Sequence, residues 1–586
     1  MAYYLQQFCW PNVNFVPEVE LYGRVNEFAK ISLLGKGVSF KENGWFLTDT
    51  FFNSISVGVW KKYAVIKDLS LLLEGSGRFI VQFGLHKLGC AHKWLDEIEI
   101  NLEGSVIIPL SFWSDLEDGM LYCKIIASSE GMIYNGAYIT NTPPLQDVKL
   151  GIVITHFNRK SYVVPAIKRI QEQLILDPKY KDKINLIVID NSQNITQEES
   201  YGAIIIPNEN LGGSGGFTRG LLYLKDNGYT HCLFMDDDAS CEIESIRRTY
   251  ALLSFSNIDS LAIAGSLLRE TEPYRLFEKG AKFDGFCRPL KSGLDMRMVI
   301  DLLLAEKEDV KPDYGGWWFF AFKTDYPQNF PFPFFVRGDD SQFSLLNRFK
   351  ICTMNGISCW GDDFAMKNSP LTSYLDARYH ILHTMIILKS HFSYTLFIVT
   401  KLFIRNLFSY NYASAQSVTL ALKHVMQGTE FWIRNLDMSE IRNMISSLKP
   451  SEKMEKIDLS NFEIVRVDYS ESRLRKFIRI LTLNGFLLPS FLIKDKTVYQ
   501  DKSFKAWFRA LFRYKRVLYY YEPYQVGYIA YHNKILFFKE IFAFSVQSFK
   551  FILKYNKLKN EYLKAIPYMT SENFWREIYK LNGGKT

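Results

Sequence analysis

The chain has 586 residues, of which 48% are hydrophobic, 23% charged and 16% aromatic. This length exceeds what one hydrophobic core organises, so several domains are expected, and the ordinary balance of apolar and charged residues excludes long disordered tracts. The formal net charge of +8 is unevenly spread, since residues 391–586 hold 31 Lys and Arg against 16 Asp and Glu, a net +15 that leaves −7 for the first 390 residues. Such a basic, aromatic-rich region is typical of contact with an anionic membrane surface or another polyanion, although a solvated helical face has the same composition.

The sequence carries no sign of secretion. Its eight cysteines form no CxxC pair and no zinc-ligand spacing with the nine histidines, which predicts reduced thiols. The first residues lack the basic and apolar regions of a signal peptide. The nearest approach to an uncharged apolar run of about 18 residues is HFSYTLFIVTKLFIRNLF, and Lys401 and Arg405 interrupt it. We therefore expect a cytoplasmic protein that lies on a membrane without crossing it.

Residues 1–145 contain short aromatic and β-branched stretches separated by Gly, Asn and Asp turns. This pattern is typical of an antiparallel β-sandwich. Its Trp and Tyr residues could form a carbohydrate-stacking surface, but sandwich cores use the same residues. Pro143 and Pro144 then indicate a linker.

Strand and helix patterns alternate in residues 146–390. The predicted strands are KLGIVITHFN, KINLIVID, GAIIIP and THCLFM, and the predicted helices are SYVVPAIKRIQEQL and GGFTRGLLYLKDNG. Alternation of this kind predicts an α/β domain with a parallel sheet, whose ligand crevice lies at the carboxyl ends of the strands.

Residues 391–586 have mainly helical periodicity. The clearest amphipathic stretches are ESRLRKFIRILTL, KAWFRALFRYKRVLYYY and IFAFSVQSFKFILKYNKLKNEYLKAI, in which basic and aromatic residues interleave. We expect a basic helical domain that contacts a membrane surface.

The strongest chemical feature is MDDDAS, in which Asp236, Asp237 and Asp238 directly follow a predicted strand. Alternate residues of an extended chain point the same way, so Asp236 and Asp238 can converge on one cation. Carboxylates suit Mg²⁺ or Mn²⁺, and such a cation neutralises the charge that develops when a nucleoside diphosphate departs. Taken alone, three aspartates at a strand end also fit a solvated turn.

Three further loops at strand ends belong to the same predicted crevice. Arg159 in THFNR could meet a uracil or a phosphate, and Asp190 in IDNS could accept hydrogen bonds from a base or a ribose. The third loop, NENLGGSGGFTRG, is a glycine-rich turn that opens a helix, where backbone N–H groups can approach an anion or a sugar ring. It matches neither the dinucleotide GxGxxG spacing nor a Walker A loop.

Two downstream motifs supply aromatic and acidic residues. Trp317 and Trp318 in DYGGWWFFAF could stack on a sugar, with core packing as the alternative. Asp339 and Asp340 in PFFVRGDDSQF could deprotonate an acceptor hydroxyl, and they could also cap the helix that follows.

The chain resembles the processive galactofuranosyltransferases of glycosyltransferase family 2 over nearly its whole length. The resemblance is carried by six motifs that occur in the family's order and approximate spacing, namely THFNR, IDN, NLGGSGGF, MDDD, GGWWFF and RGDD. The resemblance implies a GT-A catalytic domain between a β-sandwich and a mainly helical region. It also implies inverting, metal-dependent transfer from UDP-galactofuranose to a growing, lipid-linked glycan. The partners expected from it are a UDP-sugar, a glycan acceptor, the inner face of the plasma membrane and further copies of the chain, with no nucleic acid.

The resemblance also implies roles for individual residues. Donor contacts fall on Arg159, Asp190 and Asn210, and we place Gly212, Gly213 and Asp237 in the same donor site. Metal ligation falls on Asp236 and Asp238, the acceptor and sugar platform on Trp317 and Trp318 with Asp339 beside them, and the base on Asp340.

One departure concerns the third metal ligand. The family has a histidine directly after a tryptophan, whereas here Trp360 is followed by Gly361. We expect Asp362 or Asp363 to replace that histidine, because a carboxylate still suits Mg²⁺ or Mn²⁺. The other candidates are His380, His383 and water.

Two other functions compete with this interpretation. The same fold could transfer rhamnose, glucose or galactopyranose to a capsule or O-antigen precursor. A non-catalytic carbohydrate-binding scaffold is the alternative of another class, and the grouping of Asp236, Asp238 and Asp340 in one site argues against it.

Overall fold

The computed structural model describes residues 2–364, 366–448, 452–467, 471–502 and 508–581. Its first region is an antiparallel sheet of ten strands in which β7 and β8 form a hairpin of two 17-residue strands. Hydrogen bonds join these strands into one sheet, so the expected sandwich of two separate sheets stays a prediction. The elements are β1 (Tyr3–Gln7), β2 (Arg24–Val25), β3 (Ala29–Ile31), β4 (Val38–Phe40), β5 (Trp45–Leu47), β6 (Ile55–Ser56), α1 (Val57–Tyr63), β7 (Ser70–His86), β8 (Lys93–Pro109), β9 (Met120–Ala127) and β10 (Gly131–Thr140).

The middle region is an α/β domain around a seven-stranded sheet. Its first elements are β11 (Leu150–His156), α2 (Lys160–Ile170), β12 (Ile184–Asp190), β13 (Ile204–Pro207), α3 (Gly212–Asp226) and β14 (His231–Asp236). These six elements lie where the alternating pattern predicted them, and the four strands are parallel. The strand order is β13-β12-β11-β14-β21-β16-β22, and β21 runs antiparallel to β14 and β16.

The rest of the middle region places a second, smaller sheet beside the acidic strand end. Its elements are β15 (Ser240–Cys241), α4 (Ile243–Phe255), β16 (Leu261–Ala264), β17 (Ser266–Arg269), β18 (Leu276–Glu278), β19 (Ala281–Phe283), β20 (Cys287–Pro289), α5 (Val299–Glu306), β21 (Phe320–Lys323), α6 (Asp339–Asn347), β22 (Lys350–Cys352), β23 (Ser358–Gly361) and α7 (Pro370–Leu382). The small sheet has the order β15-β23-β17-β18, so the SCWG strand pairs with the strand that follows the three aspartates.

The C-terminal region combines helices with a five-stranded sheet that the sequence did not predict. Its elements are α8 (Phe392–Phe408), α9 (Tyr412–Val425), α10 (Glu430–Arg434), α11 (Ser439–Ser446), β24 (Glu455–Lys456), β25 (Ile464–Val465), α12 (Arg473–Leu481), β26 (Lys494–Asp501), β27 (Tyr514–Tyr521), β28 (Val526–Tyr531), α13 (Lys534–Met569) and α14 (Glu572–Ile578). No helix within the described ranges is long and apolar enough to cross a membrane.

Two of the three amphipathic helices predicted in this region are present, as α12 and α13. The prediction for KAWFRALFRYKRVLYYY is wrong, because residues 514–521 form the buried strand β27 between β26 and β28. Aromatic and β-branched side chains favour a pleated, buried surface, and that preference outweighs the helical spacing of the basic residues. The first three residues of the stretch lie outside the described part of the chain.

The helix α14 returns to the middle domain and packs beside α3. Trp575 is fully buried in the same apolar cluster as β11 and β14 residues, and its Nε1 donates to the carbonyl of Pro331 at 2.8 Å. The guanidinium of Arg576 pairs with Asp226 at 2.6 Å. The last helix therefore completes the core of the domain that holds the predicted site.

Candidate active site

Parallel pairing brings the ends of the central strands to one edge of the sheet. Thr155 lies opposite Asp236 in the β11–β14 pair, and His156 lies opposite Asp190 in the β11–β12 pair. The loops that carry the predicted donor and metal residues therefore border one crevice, as the topology of an α/β sheet requires.

The three aspartates after β14 have different surroundings. Asp237 accepts a hydrogen bond from the backbone N–H of Phe157 at 3.2 Å and lies 3.3 Å from Nδ1 of His156. Asp238 accepts hydrogen bonds from Arg159 and, at 2.9 Å, from Nζ of Lys367. Burial would raise the pKa of Asp238, but the charges of Lys367 and Arg159 hold that pKa below its usual range.

Asp236 has weaker compensation, which comes from the charge of Lys367. Burial, and then the like charges of Asp238 and Asp237, raise the pKa of Asp236 to about 8. A divalent cation would remove this electrostatic cost, because it favours the ionised form of both converging carboxylates. The donor set at Asp236 and Asp238 therefore fits the hard cation that the sequence implies.

The predicted third metal ligand is not assembled. Asp363 forms a two-pronged ion pair with Arg269, both bonds measuring 2.7 Å, and accepts the Tyr521 hydroxyl at 3.0 Å. These bonds would have to break for Asp363 to bind a cation, so its role as a ligand stays a prediction. Asp362 lies 3.9 Å from Nζ of Lys367, the lysine that also holds Asp238. Among the residues that the structure describes, no group of three or more His, Cys, Asp and Glu could hold a metal.

The histidine alternative also fails for His383. Its Nε2 lies 3.1 Å from the hydroxyl of Ser341, and burial lowers the pKa of the imidazole to about 3. His383 therefore supports the start of α6 as a neutral group. Nδ1 of His380 bonds the carbonyl of Asp376 one turn earlier in α7 at 2.7 Å.

Asp190 differs from its predicted role at the donor. Only 1% of its surface is exposed, and its carboxylate accepts backbone N–H groups from Ser192 at 3.0 Å, Asn194 at 2.8 Å and Ile195 at 2.9 Å. The carboxylate thus stabilises the loop after β12 by accepting backbone hydrogen bonds, as aspartates commonly do in turns. A direct contact to base or ribose stays a prediction that would need this loop to open.

The glycine-rich motif mainly allows close packing of α3. A Cβ on Gly216 would meet Thr155 at 2.2 Å, and one on Gly220 would meet Val153 at 2.2 Å, so these glycines let the helix lie directly on β11. Gly212 has a φ of +70°, and its backbone N–H donates to Oδ1 of Asn210 at 3.1 Å. Asn210 is therefore a loop-capping residue in this structure.

Gly213 faces a different neighbour. A Cβ there would meet Asp339 and Val336 first, at 3.5 and 3.6 Å, and then Phe217 at 3.9 Å, so this position borders the acidic start of α6. Next to it, the Ser214 hydroxyl donates to Asp339 at 2.9 Å. The glycine-rich loop and the RGDD segment therefore form one wall of the crevice.

Asp339 and Asp340 begin α6 with pKa values shifted toward neutrality. Burial raises the pKa of Asp339 to about 6, opposed by the hydrogen bond from Ser214. Burial and the charge of Asp339 raise the pKa of Asp340 to about 7, and Arg337 works in the opposite direction. Asp339 also raises the pKa of Asp236, so the two acidic segments lie within electrostatic range of each other. Carboxylates in this range are suited to proton transfer near neutral pH.

The predicted tryptophan platform is not available. Trp317 is 4% exposed and packs edge-on against Phe217, Phe234 and Phe343. Trp318 is 9% exposed, and its Nε1 donates to the carbonyl of Gly265 at 3.0 Å. The core-packing alternative therefore holds for Trp317, and Trp318 offers at most an edge.

Sequence reasoning missed two neighbours of the acidic residues. Lys367 lies in a loop without a recognisable motif, and no sequence signal marks it as a partner of Asp238. Glu278 ends β18, and burial together with the charge of Asp340 raises its pKa to about 8. Both residues reach the crevice only through the tertiary fold.

Comparison with known proteins identifies the domain that carries this crevice. Residues 151–271 match the model of the glycosyl transferase family 2. Two galactofuranosyltransferases named GlfT2, from Mycolicibacterium smegmatis and Mycobacterium tuberculosis, are each 22% identical to the chain over 440 and 379 residues. The chain resembles a family 2 galactofuranosyltransferase. Its middle domain accordingly has a GT-A glycosyltransferase-like fold.

These relatives are matched only in part. The alignments cover 68% and 58% of this chain, and the chain spans 66% and 58% of the length of the two relatives. Among solved structures, the glucosyl-3-phosphoglycerate synthase from Mycobacterium tuberculosis in complex with Mn²⁺ and UDP-glucose is 13% identical, with 40% of this chain and 78% of that chain covered and a TM-score of 0.27. The mannosyl-3-phosphoglycerate synthase from Rubrobacter xylanophilus has the same identity and TM-score, with coverage of 40% and 74%. Similarity at this TM-score carries no argument about ligands.

Proposed function

We propose that the chain is an inverting, metal-dependent glycosyltransferase that moves galactofuranose from UDP-galactofuranose to a hydroxyl of a growing, lipid-linked cell-surface glycan. The observation that carries the proposal is electrostatic. Asp236 and Asp339, from segments about a hundred residues apart, interact across one crevice, and their pKa values are raised to about 8 and about 6. Perturbed acids of this kind, one at a strand end of the α/β sheet and one at the start of α6, are the expected signature of a catalytic site.

In this proposal Asp340 is the base. Its ionised form accepts the proton of the acceptor hydroxyl as the oxygen attacks the anomeric carbon, opposite the departing UDP. Asp339 keeps the pKa of Asp340 near the working pH, and Ser214 fixes the position of Asp339 through its hydrogen bond. Gly213 leaves room between these residues and the donor.

The proposed donor site lies on the opposite wall of the crevice. Arg159, which is 41% exposed at its side chain, can turn from Asp238 to a phosphate, and Asp237 fixes the backbone of the first loop through Phe157. Asp236 and Asp238 would hold Mg²⁺ or Mn²⁺, which when bound supplies positive charge to the departing diphosphate. When the cation is bound, Lys367 would either leave Asp238 or stay beside it and contribute its positive charge to the departing diphosphate as well.

We also propose that α12 contacts the inner face of the plasma membrane. Its exposed apolar face consists of Leu474, Phe477, Ile478, Ile480 and Leu481, which are 39% to 69% exposed. Three cations flank this face, namely Arg473, Arg475 and Lys476. The one buried residue of the helix is Arg479, which pairs with Glu471 at 2.7 Å. In this helix the apolar side chains are exposed and an arginine is buried, which is the reverse of the usual arrangement. It fits insertion into an anionic lipid surface, because the apolar side chains can enter the acyl region and the flanking cations are attracted to the anionic headgroups.

The test uses purified full-length protein, a synthetic galactofuranoside acceptor and UDP-galactofuranose, with the products analysed by mass spectrometry. We expect added hexose units with Mn²⁺ or Mg²⁺ and loss of product with EDTA. Asp340→Asn should slow transfer about a hundredfold to ten-thousandfold, whereas Asp259→Asn, which changes an exposed aspartate paired with Lys323, should leave the rate unchanged. Equal use of UDP-galactopyranose would refute the sugar assignment, and transfer that persists without metal would refute the mechanism.

A further inference from the structure

A polar cavity of about 60 Å³ lies in the C-terminal region, between α7, α8 and α9 on one side and β27 and β28 on the other. A buried water needs on the order of 10 to 15 Å³ of such volume, so the cavity has room for roughly four waters, or for one group the size of a phosphate. Its charged lining residues are Asp376, Arg405, Glu452 and Lys502.

Two cations face this cavity. Arg405 forms no hydrogen bond or ion pair with any other residue in the described part of the chain, and burial lowers its pKa while Asp376 raises it. Lys502 is 6% exposed; burial, opposed by Glu452, lowers its pKa to about 8. The only hydrogen bond that Nζ of Lys502 donates to a described residue is a long one, 3.4 Å to the carbonyl of Asn368.

The two carboxylates of the lining are already engaged. Glu452 accepts hydrogen bonds from both the hydroxyl and the backbone N–H of Ser414, and burial raises its pKa. Asp376 pairs with Arg337 at 2.8 Å. Counted with Arg337, three cations therefore face two carboxylates, and within the described residues only Arg337 forms an ion pair with either of them, which leaves Arg405 and Lys502 without one.

We propose that this cavity binds a phosphate-sized anion between Arg405 and Lys502. A guanidinium and an ammonium match the several acceptor oxygens of a phosphate. Tyr519 and Tyr528 line the same space, with their rings 6.0 and 5.3 Å from Nζ of Lys502, while their hydroxyls donate to the Ser409 carbonyl and to Asn411. A divalent cation would meet two positive charges there, and an uncharged sugar would leave the partly buried Arg405 without an ionic partner among the described residues, which costs free energy.

The anion site is connected to the acidic crevice at two points. Asn368, whose carbonyl accepts the bond from Lys502, directly follows Lys367, the partner of Asp238. The carboxylate of Asp376 holds Arg337, which opens the RGDD segment. An anion that draws Lys502 toward Arg405 therefore acts on the loop that carries Lys367.

The binding test titrates inorganic phosphate into full-length protein by calorimetry, with chloride keeping the ionic strength constant. We expect binding to the native protein, about tenfold to a hundredfold weaker binding to Arg405→Gln, and partial recovery in Arg405→Lys. The matched control is Arg434→Gln, which removes an exposed arginine, and Arg159→Gln reports any phosphate held at the proposed donor site. If Arg405→Gln does not fold, Lys502→Met is the second variant and should show the same loss.

Absence of binding to the native protein, or equal binding to native protein and the cavity variants, would overturn the proposal. A loss confined to Arg159→Gln would also overturn it, because the anion would then lie at the donor site. This arm needs no transferase activity, so its failure is distinct from failure of the proposed function.

A second arm distinguishes two sources of the anion and rests on the proposed function. An acceptor that carries an alkyl phosphate is compared with the same acceptor lacking it. If the occupant is the acceptor's phosphate, Arg405→Gln should raise KM for the phosphorylated acceptor alone and leave kcat unchanged. If the occupant is free phosphate, the two acceptors should respond alike, and added phosphate should change the rate of the native protein but not that of Arg405→Gln.

Discussion

The acidic pair at the start of α6 gives a prediction about pH. Asp340 has its pKa raised from 3.8 to about 7, a difference of three units, which corresponds to about 4 kcal/mol at 1.36 kcal/mol per unit. A general base must be ionised, so kcat/KM should be full above pH 7 and fall about tenfold for each unit below it. The acid limb of the rate profile should therefore lie near pH 7 rather than near pH 4.

Two neighbouring substitutions should move this limb in opposite directions. Asp339→Asn removes the like charge that raises the pKa of Asp340 and keeps an oxygen that accepts the hydrogen bond from Ser214, so the limb should move to lower pH. Arg337→Gln removes the cation that lowers the pKa, so the limb should move to higher pH. At pH 5, each unit of displacement changes the ionised fraction about tenfold.

The assay measures initial rates of UDP release from pH 5 to pH 9 at constant ionic strength, with Mg²⁺ present throughout. Asp340→Asn should lose about a hundredfold to ten-thousandfold in kcat, the usual contribution of a general base. If Asp340→Asn retains the native rate and Asp339→Asn loses it, the base has been assigned to the wrong residue. A limb that moves upward in Asp339→Asn would refute the electrostatic reasoning even if the rates agree.

Three further outcomes follow from the structure. Gly361→His should tighten Mn²⁺ binding in a calorimetric titration, because a histidine suits Mn²⁺ as a ligand. The position has room for a side chain, since a Cβ at Gly361 meets only the Leu267 methyl, at 3.2 Å. An unchanged affinity would show that position 361 does not face the metal. Phe477→Ser should weaken sedimentation with anionic vesicles, whereas Tyr134→Ser, which removes an exposed aromatic of β10, should not; equal binding of the two variants would exclude α12 as the contact. Asp363→Ala should lower the free energy of unfolding by about 1 to 3 kcal/mol, because it removes the two-pronged partner of Arg269 and leaves that arginine only its ion pair with Glu272. A melting temperature equal to that of the native protein would contradict this structural role.

The strands and helices of the central sheet were predictable because their signal is local. β11, β12, β14 and α3 combine buried apolar runs with a glycine-rich turn, and both properties are readable within a few residues. The order of acidic loops along one sheet edge follows from the same alternation. The error at β27 has the opposite cause, since the tyrosines of residues 514–521 fit either an amphipathic helix or a strand until their neighbours are known.

The individual site residues were less predictable, because their roles depend on contacts between distant segments. Trp317 has the composition of a sugar platform, yet α3 and α6 supply the rings that bury it. Asp190 looks like an open acceptor, yet the loop that follows folds back and occupies its carboxylate. Lys367 belongs to no motif, and only the folded chain places it against Asp238.

The return of the last helix has a consequence for biosynthesis. Arg576 and its partner Asp226 are 350 positions apart, and at about 5 to 20 residues per second a ribosome needs roughly 20 to 70 seconds to make that length. Until then, the apolar pocket that receives Trp575 is unfilled, although the rest of the middle domain has already left the ribosome. The nascent polypeptide thus exposes an aromatic-lined recess beside the strands that bear the acidic loops, and this recess closes only after α14 has been synthesised.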